Sequence, residues 1–249
     1  LQNGQTVEIQ QDETILTPEK ELPDFDGENG QIGVCLSQDD RYLFTTGVFM
    51  DGWKKINKIT RWKPAPGSNW RQIIKDKQLI APFEKDATGN AHQIGHCLID
   101  ENNHLWVGTG DGHKPKTTHL AEHSNGKIYR MTLDFKGVAD NPFYDKQSPF
   151  DLKSLVFAMG FRNPFALTLL EDELYVADNG PAIDRFLRVE KGADYPWDNT
   201  NASFTYNNLM TFPKPVGPAD MVYVPHGHAL KDLWGHMVIA AAHKASLVA

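Results

Sequence analysis

No stretch of this chain approaches the roughly 20 consecutive apolar residues that a membrane-spanning helix requires. It has no run of Lys or Arg either: 25 basic residues face 32 acidic ones, and the formal net charge is −7. That charge pattern argues against nucleic acid and against an anionic membrane surface as partners. Helical periodicity is missing as well, because no window keeps the roughly 3.6-residue apolar spacing long enough for a core helix. Cysteine is scarce, with two in 249 residues. No signal peptide is present, and since the chain opens at Leu1 rather than Met, that absence excludes no compartment.

What the chain has instead is a repeat. Gln31-Ile32-Gly33-Val34-Cys35-Leu36 returns 62 positions later as Gln93-Ile94-Gly95-His96-Cys97-Leu98. Each copy passes through an acidic polar turn (Gln38-Asp39-Asp40; Asp100-Glu101-Asn102-Asn103) into a short apolar run, Tyr42–Phe44 or Leu105–Val107. A third copy runs from Phe165–Leu170 through Glu171–Glu173 to Leu174–Asp178, and a fourth from Met221–Pro225 to Leu233–Ala240. With Leu36, Leu98, Leu167 and Val222 equivalent, the spacings are 62, 69 and 55. Outer strands are expected at Lys58–Trp62, Lys127–Met131 and Phe186–Val189, where residues alternate between Gly, Pro, Asn and Asp turns. Hairpins repeated at this size give radial β-units, one blade per repeat. The chain is expected to be all-β, a single propeller of the six-bladed type represented by about four to five blades. Blade boundaries fall near 28–88, 89–150, 151–215 and an incomplete 216–249. Residues 1–27 resemble the tail of a preceding blade, so a fragment of a longer protein is expected.

Cys35 and Cys97 hold equivalent positions of neighbouring repeats. Face-packed sheets lie about 10 Å apart, whereas a disulfide needs Cα atoms within about 7 Å. Two small buried thiols are therefore expected, and the redox compartment is not legible from cysteine usage.

Chemistry-bearing motifs follow in a fixed order: His92-Gln93-Ile94-Gly95, Gly108-Thr109-Gly110-Asp111-Gly112, Asn125–Arg130, Asp140-Asn141-Pro142-Phe143, Gly160-Phe161-Arg162-Asn163-Pro164, Asp178-Asn179-Gly180-Pro181 and Asp184. As residue types, they suit proton and charge handling. An unperturbed imidazole titrates near pH ~6.5, so His92 can accept a proton at working pH. Arg162 offers a planar fork of donors that matches carboxylates and quinone oxygens and cannot lose its charge. Pro164 fixes the backbone beside it and biases Asn163 toward an extended shape. The Gly108–Gly112 loop lacks the Lys-Ser/Thr and following helix of a phosphate cradle. It is read as part of the propeller mouth, with Asp111 reaching the ligand. His92 and His96 have the spacing of a helical zinc pair, but on a strand they would lie about 13 Å apart, beyond joint ligation. His226 and His228 could share a strand face, although no third metal ligand is in view. His113, His119 and His123 are expected to be solvated loop residues.

Taken as a set, these motifs resemble the glucose/sorbosone dehydrogenase family over about residues 28–200. That resemblance implies a six-bladed propeller that binds pyrroloquinoline quinone (PQQ) and calcium and oxidises the anomeric hydroxyl of an aldose to a lactone. It makes His92 the general base, and it makes Arg162 both a cofactor contact and a stabiliser of charge developing during hydride transfer. Asn163, Gln93 and Asp111 are assigned to the cofactor with it. Gly180 and Pro181 would lend backbone carbonyls to calcium. An unidentified electron acceptor and a periplasmic or secreted location are implied too. Three positions depart from the family pattern: Ala91 stands where an Asp precedes the base, Arg185 stands where a second acid follows Asp184, and Pro196 replaces a Gly in the Tyr195-Pro196-Trp197 run, whose Trp197 is read as a blade anchor rather than a sugar platform. The alternative readings are a non-catalytic binding propeller and a calcium-dependent lactone hydrolase, since a propeller scaffold alone decides no function.

Overall fold

Each of the four sequence repeats folds into one antiparallel sheet. The structure, a computed structural model, describes residues 27–28, 30–51, 54–79, 90–242 and 246–248; of the expected tail of a preceding blade at 1–27, only Gly27 lies among them. The first sheet comprises β1 (Gly30–Leu36), β2 (Leu43–Asp51), β3 (Lys54–Pro64) and β4 (Ile73–Leu79). β5 (Ile94–Ile99), β6 (His104–Thr109), β7 (Lys127–Thr132) and β8 (Val156–Met159) form the second. β9 (Pro164–Leu170), β10 (Glu173–Asp178), β11 (Asp184–Val189) and β12 (Met210–Phe212) form the third. The fourth holds β13 (Pro218–Tyr223), β14 (Met237–Ala241) and β15 (Ser246–Val248). The acidic turns do what their composition suggests. Asp40, Asn103 and Asp172, one in the first hairpin of each of three sheets, take φ of 55, 58 and 64°, a left-handed conformation that Asp and Asn tolerate. One expected strand is shorter than its apolar pattern: Lys231–Leu233 is a 3-10 turn, Gly235 takes φ 77°, and β14 starts only at Met237.

Strands pair with their sequence neighbours inside each sheet, while successive sheets meet through their first strands, β1 with β5, β5 with β9 and β9 with β13. Apolar side chains fill the wedges between the sheets. Phe44, Ile59, Leu105 and Met131 pack between the first two, Trp106, Phe157, Leu167 and Leu187 between the next two, and Ala166, Phe212, Met221 and Ile239 between the last two. This β-propeller-like arrangement agrees with the all-β expectation.

The free-thiol expectation is overturned: Cys35 and Cys97 form a disulfide, with Cα atoms 5.9 Å apart. The roughly 10 Å spacing holds for sheets packed face to face, but radial sheets converge where their first strands adjoin. Gly33 makes this approach possible, since a Cβ there would lie 2.9 Å from the His96 Cα and 3.0 Å from the Cys97 nitrogen. Thr46 Oγ1 also donates to the Gly95 carbonyl across the same seam (2.7 Å). The bridge spans a sequence separation of 62 residues, and in the chain-entropy picture it constrains the unfolded state strongly. Reduction, or the Cys35→Ala/Cys97→Ala pair, is expected to cost about 2–5 kcal/mol of stability. Urea unfolding with and without reductant checks this, and superimposable curves would contradict it.

His96 on β5 packs edge-on against Phe165 at 5.3 Å between ring centroids. Burial holds its imidazole below the ordinary histidine value, against an opposing pull from Asp220. A depressed folded pKa means that the unfolded chain binds the proton more readily. The stability contribution is therefore present above the unfolded value of about 6.5 and is lost as pH falls below it. Urea midpoints should drop between about pH 7.5 and pH 5, and His96→Gln should flatten that slope.

Candidate functional site

The start of each first strand and the end of each second strand lie at the same end of a sheet, because the hairpin reverses the chain. His92 precedes β5, Arg162-Asn163 precedes β9, Asp111 follows β6, and Asn179-Gly180 follows β10. Motifs far apart in sequence therefore gather at one mouth. Glu28, just ahead of β1, joins them: its carboxylate accepts from the His92 backbone N–H (2.8 Å) and from the Asn163 side-chain amide (3.3 Å).

His92 is buried and takes φ 58°, the kind of left-handed backbone that persists only when its surroundings over-determine it. Those surroundings are visible. The His92 carbonyl accepts from Gly112 N–H (3.0 Å), and a Cβ on Gly110 would lie 2.5 Å from that carbonyl oxygen and 2.6 Å from the His92 Cα. Its Nδ1 lies 2.7 Å from Asp111 Oδ1. Because an ionised carboxylate only accepts, this contact puts the ring proton on Nδ1 and leaves the Nε2 lone pair as a proton acceptor. Burial alone would raise the Asp111 carboxyl. The His92 hydrogen bond and charge, the His113 N–H and the Trp197 indole N–H outweigh it and hold the group below the usual carboxylate range. The carboxylate absent at Ala91 is thus supplied from the next hairpin by Asp111.

Asp111 is itself fixed on every side. Oδ2 accepts from Trp197 Nε1 (2.8 Å) and Oδ1 from the His113 N–H (2.9 Å), while its own N–H donates to the Arg162 carbonyl (2.6 Å) and its carbonyl accepts from Asn125 Nδ2 (2.6 Å). Trp197, expected as a blade anchor, is fully buried and also orients this carboxylate. The Trp197 carbonyl accepts from His119 Nε2 (2.8 Å), whose Nδ1 meets Asp194 Oδ1 at 2.6 Å. His119 is therefore a clasp between two sheets rather than a solvated loop residue. His113 differs from expectation too, its ring lying over that of His92 with centroids 4.4 Å apart. The loop carrying both histidines closes on Lys127, whose buried Nζ donates to the carbonyls of Thr118 (2.8 Å), Asn125 (2.6 Å) and Thr117 (3.3 Å).

Arg162 stacks over Trp197, 5.7 Å from guanidinium carbon to ring centroid, and donates through Nη1 to the Asn179 carbonyl (2.8 Å). Its Nε and Nη2 make no hydrogen bond among the described residues. The half-buried fork is thus held at one edge and open at the other. Asn163 is buried, and its N–H donates to Asp178 Oδ1 (2.6 Å). Gln93 is buried as well, its amide engaged by Asn57 (3.1 Å) and by the Ala91 carbonyl (3.2 Å).

At the Gly180-Pro181 turn, neither carbonyl accepts a hydrogen bond among the described residues. Both Asp184 oxygens are engaged, Oδ1 by Gly180 N–H (2.9 Å) and Oδ2 by the N–H groups of Val216 (2.7 Å) and Gly217 (2.9 Å). The turn therefore offers oxygen donors of the kind calcium takes, from backbone rather than carboxylate. Arg185, standing at the expected second acid, pairs with Asp178 in full burial (2.8 Å). Among the described residues, His226 and His228 lie in the turn after β13 and join no metal-spaced cluster; His92 groups with Asp111 and His113, not with His96.

Reasoning from sequence missed Glu28 altogether, and it missed the positioning contacts of Asp178, His113 and His119, which depend on residues distant in the chain.

Comparison with known proteins bears directly on this constellation. A family model described as Glucose / Sorbosone dehydrogenase matches residues 2–248. Aldose sugar dehydrogenase YliI of Escherichia coli (strain K12) is 25% identical over 141 residues, which is 55% of this chain and 37% of that protein. The PQQ-bound form of an aldose sugar dehydrogenase from Streptomyces coelicolor superposes with a TM-score of 0.70 at 21% identity, covering 94% of this chain and 65% of that one. The apo-form of the soluble aldose sugar dehydrogenase from Escherichia coli gives 0.72 at 17% identity, covering 90% and 70%. The chain thus spans well under half of the curated relative and about two thirds of the solved ones. With the match running through nearly its whole length, and with the motif residues gathered at one mouth, this chain belongs to the glucose/sorbosone dehydrogenase family.

Proposed function

We propose that the protein is a PQQ- and calcium-dependent dehydrogenase that oxidises the anomeric carbon of an aldose to its lactone. The observation that carries this reading is the His92–Asp111 pair at 2.7 Å, set beside the half-open Arg162 fork. The sugar hydroxyl gives its proton to His92 Nε2, and Asp111 stabilises the imidazolium that forms. Arg162 and Asn163 bind the cofactor, and the Arg162 charge stabilises negative charge growing there. Asp111 and Gln93 act through the residues they hold, not by touching the cofactor, since their polar atoms are already engaged by the protein. Gly180 and Pro181 hold calcium through their carbonyls. When bound, calcium-activated PQQ supplies the two-electron acceptor that takes the anomeric hydride. Electrons then pass to an acceptor not yet identified.

The four sheets are read as consecutive blades of a six-bladed ring. Val34 and Leu36 on the first sheet and Val222 on the fourth are exposed apolar side chains that adjoining blades would cover. A periplasmic or secreted location is favoured by the Cys35–Cys97 bridge, because such bonds persist in oxidising compartments. The test is reconstitution. Dye reduction with a panel of aldoses should require both PQQ and calcium and should fall sharply in Arg162→Ala. Failure to take up PQQ would sink the enzyme and leave a binding propeller.

A further inference from the structure

A second cluster of ligand atoms overlaps the proton acceptor. Imidazole nitrogens of His92 and His113 and a carboxylate oxygen of Asp111 all lie within 4.8 Å of one another. Two imidazoles and one carboxylate form the ligand set of open zinc sites, with a remaining position for water. It also differs in kind from the all-oxygen Gly180-Pro181 turn, which suits a hard cation. The base role gives His113 nothing to do. Its ring nitrogens make no hydrogen bond among the described residues, yet the backbone places the ring over His92, with Gly112 at φ 53° and His113 at φ 61°. His113 is exposed, so an ion has a route to the cluster.

We propose that His92, Asp111 and His113 bind a borderline divalent transition-metal ion of the zinc class, and that occupancy disables His92 as a base. Imidazole chemistry makes the exclusion strict. A metal on Nε2 takes the lone pair that would accept the sugar proton. A metal on Nδ1 displaces the proton now shared with Asp111 and leaves the neutral ring protonated on Nε2, a donor where an acceptor is needed. The binding half stands on the cluster alone. The inhibition half rests on the dehydrogenase reading.

The experiment titrates Zn2+, and Co2+ as its spectroscopic surrogate, into the protein in calcium-containing buffer, followed by calorimetry and by cobalt absorption. One saturable ion beyond calcium is expected, with a four-coordinate cobalt spectrum. His113→Ala, an exposed substitution whose fold is checked by circular dichroism, should weaken binding by on the order of 100-fold, the upper end for loss of a contact that only supports a ligand. His113→Gln provides a second ligand deletion. No saturable binding, or binding that neither variant weakens, overturns the site. Zinc should also abolish PQQ-linked turnover, and His113→Ala should need correspondingly more zinc for the same loss. Zinc bound at the cluster with turnover intact overturns the exclusion. Absence of turnover in zinc-free protein loaded with PQQ and calcium would instead sink the dehydrogenase reading and leave the metal titration to be judged by itself.

Discussion

Arg185→Leu is expected to destabilise the protein by about 3–5 kcal/mol, the usual consequence of stripping the partner from a buried charge. Asp178 and Arg185 have no side-chain exposure, and Arg185 meets one Asp178 oxygen through Nε (3.0 Å) and Nη2 (2.8 Å). Burial holds the Asp178 carboxyl above the usual carboxylate range, against the opposing pull of Arg185 and two backbone N–H groups. Those N–H groups belong to Asn163 (2.6 Å) and Arg162 (3.3 Å). With four donors converging on two oxygens, a carboxylic proton would find no acceptor, so the ionised form is the one this geometry supports. Removing the guanidinium also empties the space over Phe204, whose ring centroid lies 4.3 Å from it. Because the carboxylate holds the Arg162-Asn163 backbone, the damage falls on the mouth that carries Arg162 as well as on stability. The double variant Asp178→Asn/Arg185→Met keeps an acceptor for the shorter Asn163 N–H bond without a lone buried charge, and it should recover much of the loss. Urea unfolding of the three proteins decides this, and an Arg185→Leu curve matching the parent would refute it.

His92→Ala should cut PQQ-linked turnover by about 10²–10⁴-fold, the range for loss of a positioned general base, while PQQ uptake continues. Asp111→Asn should approach the same loss by a different route. An amide can donate to Nδ1, which moves the ring proton to Nε2 and reverses the tautomer that the reaction needs. The separation of the two readouts is the informative part. Cofactor titration unchanged with turnover lost locates the defect in proton transfer, whereas turnover that survives His92→Ala would leave the reaction without its assigned base.

The repeat made the sheets legible because a hairpin leaves a local trace: an apolar run, an acidic turn, a second run. Gln31–Leu36 and Gln93–Leu98 fell on β1 and β5, and the turn residues Asp40 and Asn103 adopted the expected left-handed backbone. His92, Arg162 and Gly180 were visible through motif order, and the structure brings them to one end of the sheets. What stayed hidden depends on distances between sheets. Cys35 and Cys97 looked too far apart because the spacing of parallel faces was applied where strands converge. Asp111 reads as a ligand contact because its loop lies at the mouth, and the hydrogen bonds of its oxygens to His92 and Trp197 leave no trace in the sequence. Arg185 looked like a lost acid, but it answers a charge seven residues earlier on the neighbouring strand. A motif records which residue types are present and not which of them end up facing each other across a seam.

Lys127 gives one wall of the mouth a fixed mechanical support. Its ammonium, ringed by the carbonyls of Thr117, Thr118 and Asn125, does for the histidine-bearing loop what a bound cation does in other loops, but it is tethered by a covalent stem and cannot be exchanged. On the calcium reading proposed above, the Gly180-Pro181 turn relies instead on an ion that can leave. Chelators should therefore act on one wall only. Hydrogen exchange after calcium removal is expected to speed up around residues 179–184 and stay slow across 115–127, so that apo-protein waits for its cofactor with the proton-handling wall already set.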